Sequence, residues 1–119
     1  MEKLACCLLL SVFVVPAYAN SNLPFIGTKY FEFSWGSALT TTGSITIKKN
    51  GDTVIKTESC GHAGDCEKET AYKGKYKQTM GDYRIVSKTQ IAYLDENGKI
   101  DDSCLLGACQ TTLENKKAW

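Results

Sequence analysis

The densest group of reactive side chains lies in one short segment, Cys60-Gly61-His62-Ala63-Gly64-Asp65-Cys66. Thiolate, imidazole and carboxylate groups all bind zinc, so this segment is compatible with a metal site. It also fits a loop closed by a disulfide, in which the glycines turn the chain and His62 and Asp65 are displayed. His62 is the only histidine, so a site with several histidine ligands is excluded. We favour the disulfide-closed loop and predict no metal and no other cofactor.

A second pair of cysteines, Cys104 and Cys109, encloses a loop of similar length. The sequence has six cysteines, but Cys6 and Cys7 fall in the N-terminal segment that we expect to be removed. An even number of cysteines in a small exported domain predicts disulfide bonds, and the remaining four cysteines allow three pairings. The short spacers favour Cys60–Cys66 and Cys104–Cys109, whereas crossed pairings would tie the middle of the chain to its end. Neither spacing is Cys-x-x-Cys, which argues against a redox-active pair.

The second loop contains two adjacent leucines, Leu105 and Leu106. They either pack beneath the domain or form an exposed apolar tip, and we favour the packed arrangement. A displayed pair would be the better anchor for a partner protein, because buried apolar anchors carry much of the binding energy at interfaces.

Charged residues form two further groups. Lys73, Lys75 and Lys77 fall on one face of a predicted strand, where they either bind an anionic group or protect an edge strand from aggregation, which we favour. The acidic segment 95–102 is open to the same choice, between a solvent-exposed face and a docking place for a basic partner. The candidate binding residues are therefore His62, Asp65, Leu105, Leu106, Lys73, Lys75 and Lys77.

Motifs of common enzyme classes are missing from the sequence. It has no G-x-S-x-G elbow, no H-E-x-x-H, no P-loop and no dinucleotide fingerprint. The carboxylate pairs Glu67/Glu69 and Asp101/Asp102 are interpreted as solvated surface residues. We expect a protein without catalytic residues.

The N-terminal residues predict export. Lys3 precedes an apolar run over residues 4–15, which is shorter than the ~20 residues that span a bilayer. Pro16 ends the run, and Ala17-Tyr18-Ala19 has the small residues of a cleavage site. We expect residues 1–19 to be a cleaved signal peptide, and residues 20–119 to be one periplasmic or secreted domain without a transmembrane anchor.

The elements that position the two loops are predicted to be β-strands. Residues 28–35 and 70–78 alternate between polar and apolar side chains, which is the period of a half-buried strand. Residues 36–43 are interpreted as a loop rich in serine and threonine, and Gly74 as the site of a bulge, a bend or a close backbone contact.

A hairpin around Asn50-Gly51 connects two more strands, because both residues tolerate positive φ. A two-residue loop would pair Ile47 with Val54. A three-residue loop with Gly51 in the left-handed region would pair Ile45 with Ile55 and Ile47 with Thr53. We favour the second register, since it places the three isoleucines on one face.

The whole pattern predicts an all-β fold. No segment has the helical period over three turns, and about seven or eight short strands alternate with turn signals. We expect a small antiparallel meander barrel, or a sandwich, with two disulfides; closure favours the barrel because it removes exposed edges. The predicted core comprises Phe31, Phe33, Trp35, Ile45, Ile47, Ile55, Tyr72, Tyr76, Ile85, Ile91, Tyr93 and Ile100, with Tyr83 as a weaker candidate.

Composition and net charge limit the classes of function that the sequence supports. The net charge of +1 argues against nucleic acid as a partner. We expect an exported module that binds another protein in the envelope or outside the cell, as an inhibitor or immunity-type protein acting on an envelope or cell-wall hydrolase. The alternative is a calyx-type carrier of a small apolar ligand, and an enzyme ranks third.

Overall fold

A computed structural model describes residues 22–61 and 63–119. The predicted signal peptide and His62 therefore lie outside the described residues. Within the described ranges the chain forms strands and turns, and no helix is long and apolar enough to cross a membrane. The strands are β1 Gly27–Ser34, β2 Thr40–Ile47, β3 Asp52–Cys60, β4 Cys66–Lys75, β5 Thr79–Met80, β6 Tyr83–Ser87, β7 Gln90–Tyr93 and β8 Gln110–Thr112.

The strands form two antiparallel four-stranded sheets in chain order, β1-β2-β3-β4 and β5-β6-β7-β8. The all-β prediction is thus confirmed. Two isolated bridges connect the β1 region with segments that flank β8, Tyr30 with Glu114 and Trp35 with Cys104. In the first, the Tyr30 amide donates to the Glu114 carbonyl at 2.8 Å. Among the strands described, hydrogen bonding does not close the two sheets into a barrel.

The β2–β3 hairpin has the register that the buried isoleucines favour. Ile45 lies opposite Ile55 and Ile47 opposite Thr53. Gly51 has a φ of 94°, and its amide donates to the Lys48 carbonyl at 2.8 Å. The predicted three-residue loop is therefore confirmed, and every second residue of β2 and β3 points to the inner face.

The core lies between the two sheets, but part of its predicted membership is wrong. Phe31, Phe33, Ile45, Ile47, Ile55, Ile85 and Ile91 are buried, as is Tyr83. The half-buried residues are instead Trp35, Tyr72, Tyr76, Tyr93 and Ile100. Most of these have a polar atom to solvate; for example, the Tyr72 hydroxyl donates to the Lys75 carbonyl at 2.6 Å. Ile100 sits in an isolated bridge outside the named strands.

Two strands begin earlier than predicted. β2 starts at Thr40, so the second half of the predicted loop 36–43 is a strand. β4 starts at Cys66, directly after the first cysteine loop. The irregularity in β4 falls at Ala71, since Ile55 pairs with Tyr72 and Lys56 with Thr70. A bulge at Gly74 was thus the wrong interpretation, although its Tyr72 contact is close.

Replacing Gly43 tests the packing of the first sheet. A Cβ atom added there would meet the Phe31 ring, 2.7 Å from Cε1, and the Lys56 carbonyl at 3.0 Å. We expect Gly43→Ala to lower the free energy of unfolding by about 1–3 kcal/mol, the usual cost of overpacking. Urea denaturation of the oxidised protein measures it. Gly61→Ala is the control, because nothing lies within 4 Å of that position; equal losses in both variants would contradict the argument.

Candidate functional site

The two disulfides join Cys60 to Cys66 and Cys104 to Cys109, which are the local pairings. The first lies at one end of the first sheet. Cys60 is opposite Cys66 on one side and Thr40 on the other, and Thr40 is opposite Ser34. The loop closed by this disulfide therefore leaves the sheet where β1 ends and β2 begins.

The second disulfide loop is attached at the same end. Cys104 bridges to Trp35, and the Leu105 amide donates to the Ser34 carbonyl at 2.8 Å. On the other side, the Tyr93 amide donates to the Cys109 carbonyl at 2.9 Å. The loop thus spans from β1 to β7. We call residues 35–39, 60–61, 63–66 and 103–109 the disulfide end.

Leu105 and Leu106 are displayed, so the packed arrangement predicted for them is wrong. Leu105 is 60% exposed and Leu106 is 99% exposed. They are the central residues of a turn in which the Gly107 amide donates to the Cys104 carbonyl at 3.0 Å. Leu106 has a φ of 72°, which glycine or asparagine adopts more readily than a branched side chain. The turn points both side chains away from the core.

Asp65 lies in the first loop and is exposed. The Gly61 amide donates to its carbonyl at 2.9 Å, and Gly64 turns the chain with a φ of 91°. In the described part of the chain, the one group of three metal-ligating side chains is Glu58, Cys60 and Cys66. Its two sulfur atoms are bonded to each other and supply no thiolate, so the geometry favours a disulfide loop over a zinc site.

The lysines lie away from the disulfide end. Lys73, Lys75 and Lys77 are exposed, and the first two belong to the edge strand β4. Lys75 forms an ion pair with Asp52 at 2.8 Å, beside the Asn50-Gly51 turn at the opposite end of the sheet. The structure therefore does not bring the lysines together with the two loops, and their roles stay predictions.

A cleft of about 190 Å³ opens between the two sheets beside the disulfide end. It exists because the strands of the first sheet have 8 to 10 residues, whereas those of the second have 2 to 5. The second sheet therefore leaves part of the inner face of the first uncovered. The cleft is lined by Trp35, Leu39, Thr41, Thr57, Ser59, Glu69, Ala71, Asp82, Tyr83 and Tyr93.

Three aromatic rings in the cleft are held edge to face or tilted. Tyr93 lies 4.9 Å from Trp35 and 5.3 Å from Tyr83, measured between ring centroids, with interplanar angles of 84° and 72°. The Trp35 indole donates to the Thr41 hydroxyl at 2.9 Å, and that hydroxyl is 2.9 Å from the Ser59 hydroxyl. Hydrogen bonds and ring contacts thus hold this wall in one arrangement.

The sequence alone does not predict that these residues share a cleft. It predicts core positions for Trp35 and Tyr93, which pack against the core but are half-buried, and a solvated surface position for Glu69, which is exposed. Glu69 lies opposite Thr57, so it belongs to the inner face of the sheet even though it is exposed. One sequence signal points to this position of Glu69: the alternation of polar and apolar residues is interrupted before Tyr72. The bulge at Ala71 produces this interruption and places Glu69 on the same face as Tyr72.

The cleft also changes the acidity of its tyrosines. Burial raises the pKa of Tyr83 above the ordinary value of 10.0, and the nearby Tyr93, Asp82 and Glu69 raise it further. Burial, followed by Asp82, Asp101 and Glu69, likewise raises the pKa of Tyr93. Both hydroxyls therefore keep their protons in an acidic surrounding.

Comparisons with known proteins found no match: no family model, no curated protein and no solved structure is similar to this chain.

The raised pKa of Tyr83 predicts a loss of stability at high pH. The unfolded chain ionises this tyrosine above about pH 10, while the folded chain keeps it neutral, so the contribution of Tyr83 to the free energy of unfolding is constant below that pH and falls above it. One tyrosine contributes a slope of up to ~1.4 kcal/mol per pH unit. Tyr83→Phe should flatten the slope, measured by urea denaturation between pH 8 and about pH 11.5.

The difference between the two proteins at pH 7 serves as the control, since it gives the packing effect of removing the hydroxyl. If Tyr83→Phe and the unmodified protein lose stability with the same slope above pH 10, the burial of Tyr83 is not the cause.

Proposed function

We propose that this protein is an exported binding module that presents its disulfide end to another protein in the cell envelope or outside the cell. Leu106 is the observation that carries the proposal. An apolar side chain that is 99% exposed contributes nothing to the core, and its φ of 72° costs about 1–2 kcal/mol. Strained residues that folding does not require cluster at functional sites.

The loops of the disulfide end are held in place before any partner binds. The second loop is closed by Cys104–Cys109 and hydrogen-bonded to both β1 and β7. The first continues directly from paired strand ends and is closed by Cys60–Cys66. Such preorganisation lowers the entropy cost of association. The displayed leucines supply an apolar anchor for a partner, and the cleft beside them supplies acidic side chains.

The compartment indicates the class of partner. Two disulfides are compatible with an oxidising extracellular or periplasmic environment. In that environment we propose that the partner is an envelope or cell-wall hydrolase and that this protein is its inhibitor or immunity-type protein. The acidic side chains of Asp65, at the disulfide end, and of Asp101, two residues before it, favour a hydrolase with a basic surface.

The alternative of an apolar-ligand carrier receives less support. A calyx needs an enclosed apolar cavity, but the space between the sheets is occupied by fully buried side chains, including Phe31, Ile45, Ile55, Met80 and Ile91. The cleft that does open between the described strands is lined by several hydroxyl and carboxylate groups. Such a lining favours the binding of a polar group over the storage of an apolar molecule.

A capture experiment tests the proposal. The oxidised protein is immobilised, exposed to envelope and secreted extracts of its own organism, and the retained proteins are identified by mass spectrometry. We expect a wall hydrolase that is retained by the oxidised protein, is not retained by a reduced and alkylated sample, and loses activity when the oxidised protein is added.

The variant Leu106→Asn makes the test specific. Asparagine tolerates a positive φ, so stability should stay equal or rise, whereas affinity for the captured partner should fall about tenfold or more. Ile26→Asn is the control: Ile26 is 57% exposed, but it precedes β1 at the other end of the sheet. Undiminished binding by Leu106→Asn, or equal losses in both variants, would overturn the proposed binding surface.

A further inference from the structure

The cleft between the sheets has the size of one side chain. Its volume of about 190 Å³ is below the ~300–1,000 Å³ of pockets that hold drug-sized ligands. It also opens beside the loops that we propose as the binding surface, since Trp35 bridges to Cys104 and Ser59 precedes Cys60. A partner seated on the disulfide end would therefore reach it with a single side chain.

The chemistry of the cleft matches a cation. Trp35, Tyr83 and Tyr93 supply aromatic rings, whose faces attract cations within ~6 Å. Glu69 and Asp82 supply two carboxylates, and neither forms an ion pair or a side-chain hydrogen bond with any described residue. None of the described residues that line the cleft is a lysine or an arginine. Within the cleft the two carboxylates therefore face no cationic side chain, although Glu69 also borders a groove lined by Lys56, Lys68 and Lys117.

Tyr83 adds an independent observation. Its side chain is only 5% exposed, yet its hydroxyl has no hydrogen-bond partner among the described residues. None of the buried side-chain polar atoms among the described residues lacks a hydrogen-bond partner, so the Tyr83 hydroxyl must reach the water of the cleft. It lies within electrostatic range of Glu69 and Asp82, because both carboxylates raise its pKa. A ligand in the cleft can therefore exchange a hydrogen bond with this hydroxyl in place of water.

Building on the proposed function, we infer that the cleft between the sheets binds one cationic side chain of the partner protein, and that arginine is the residue it fits best. A guanidinium is planar, stacks on aromatic rings and pairs with two carboxylates through its fork of N–H donors. Lysine brings a compact charge with neither the plane nor the fork. The site thus adds charge recognition to the apolar contact of Leu106.

The test uses the arginine side chain alone, as N-acetyl-arginine methylamide, titrated into the oxidised protein and followed by ¹H–¹⁵N NMR. The Trp35 indole N–H reports on the cleft, and the backbone amide of Gly51, in the turn at the opposite end of the first sheet, is the internal control. We expect saturable shifts of the Trp35 signal with a Kd of about 1–10 mM, as befits a single side chain. N-acetyl-citrulline methylamide, which has the same shape without the charge, should not shift it.

Two variants test whether the carboxylates of the cleft bind the cationic group. Asp82→Asn and Glu69→Gln should each weaken binding of the arginine derivative, by up to about fivefold, since each removes the ion pair of one exposed carboxylate. Glu58→Gln is the matched control, because Glu58 lies on the outer face of the same strand pair. Equal binding of citrulline, or equal losses in all three variants, would overturn the inference.

The outcomes also separate this inference from the proposed function. If a hydrolase is captured and depends on Leu106, but the arginine derivative leaves the Trp35 signal unchanged, the cleft is not a cation site and the binding surface stands. If the arginine derivative binds and depends on Asp82, while no captured protein responds to Leu106→Asn, the cation site stands and the proposed partner surface is wrong.

Discussion

The pairing of β2 with β3 is the constraint on which the rest of the structure depends. With Ile45 opposite Ile55, the inner face of the first sheet becomes apolar. A slip of one residue would turn these side chains to solvent and bring polar ones inside. The same register determines what happens at the other end of the strands. It places Cys60 opposite Thr40, next to the end of β1, so the loop that follows Cys60 emerges beside Trp35 and the second cysteine loop.

The unequal lengths of the two sheets then create the site. The short strands of the second sheet cover the isoleucines but not the inner face near Ser59 and Glu69. Full coverage would have required apolar residues at both positions. Instead the uncovered face carries hydroxyl and carboxylate groups, which water can solvate in the free protein. The aromatic rings of Trp35 and Tyr93 lie at the boundary, where half-burial suits a ring that has a polar tip.

Local patterns could be predicted from the sequence, and contacts between the sheets could not. The alternation of polar and apolar residues predicts the strands around Phe31 and Ile45. The Asn50-Gly51 pair predicts the hairpin, and the shared face of the isoleucines selects its register. These signals act within a few residues. The cleft depends on which strand of one sheet covers which part of the other, and no local pattern encodes that. Leu106 was misplaced for a similar reason: an apolar residue is expected to be buried, and only the turn geometry shows that its side chain points outward.

The disulfide end therefore combines features that stability alone would not favour. The exposed Leu106 at positive φ lowers the stability of the free domain, and the carboxylates of Glu69 and Asp82 keep part of the inner face open to water. These residues lie at or beside the disulfide end, where both disulfides close loops. Each disulfide restricts the unfolded chain and thereby offsets part of the cost of the strained leucine. The cross-links thus allow a small domain to keep an apolar tip and an acidic cleft exposed, as the proposed binding to a partner requires.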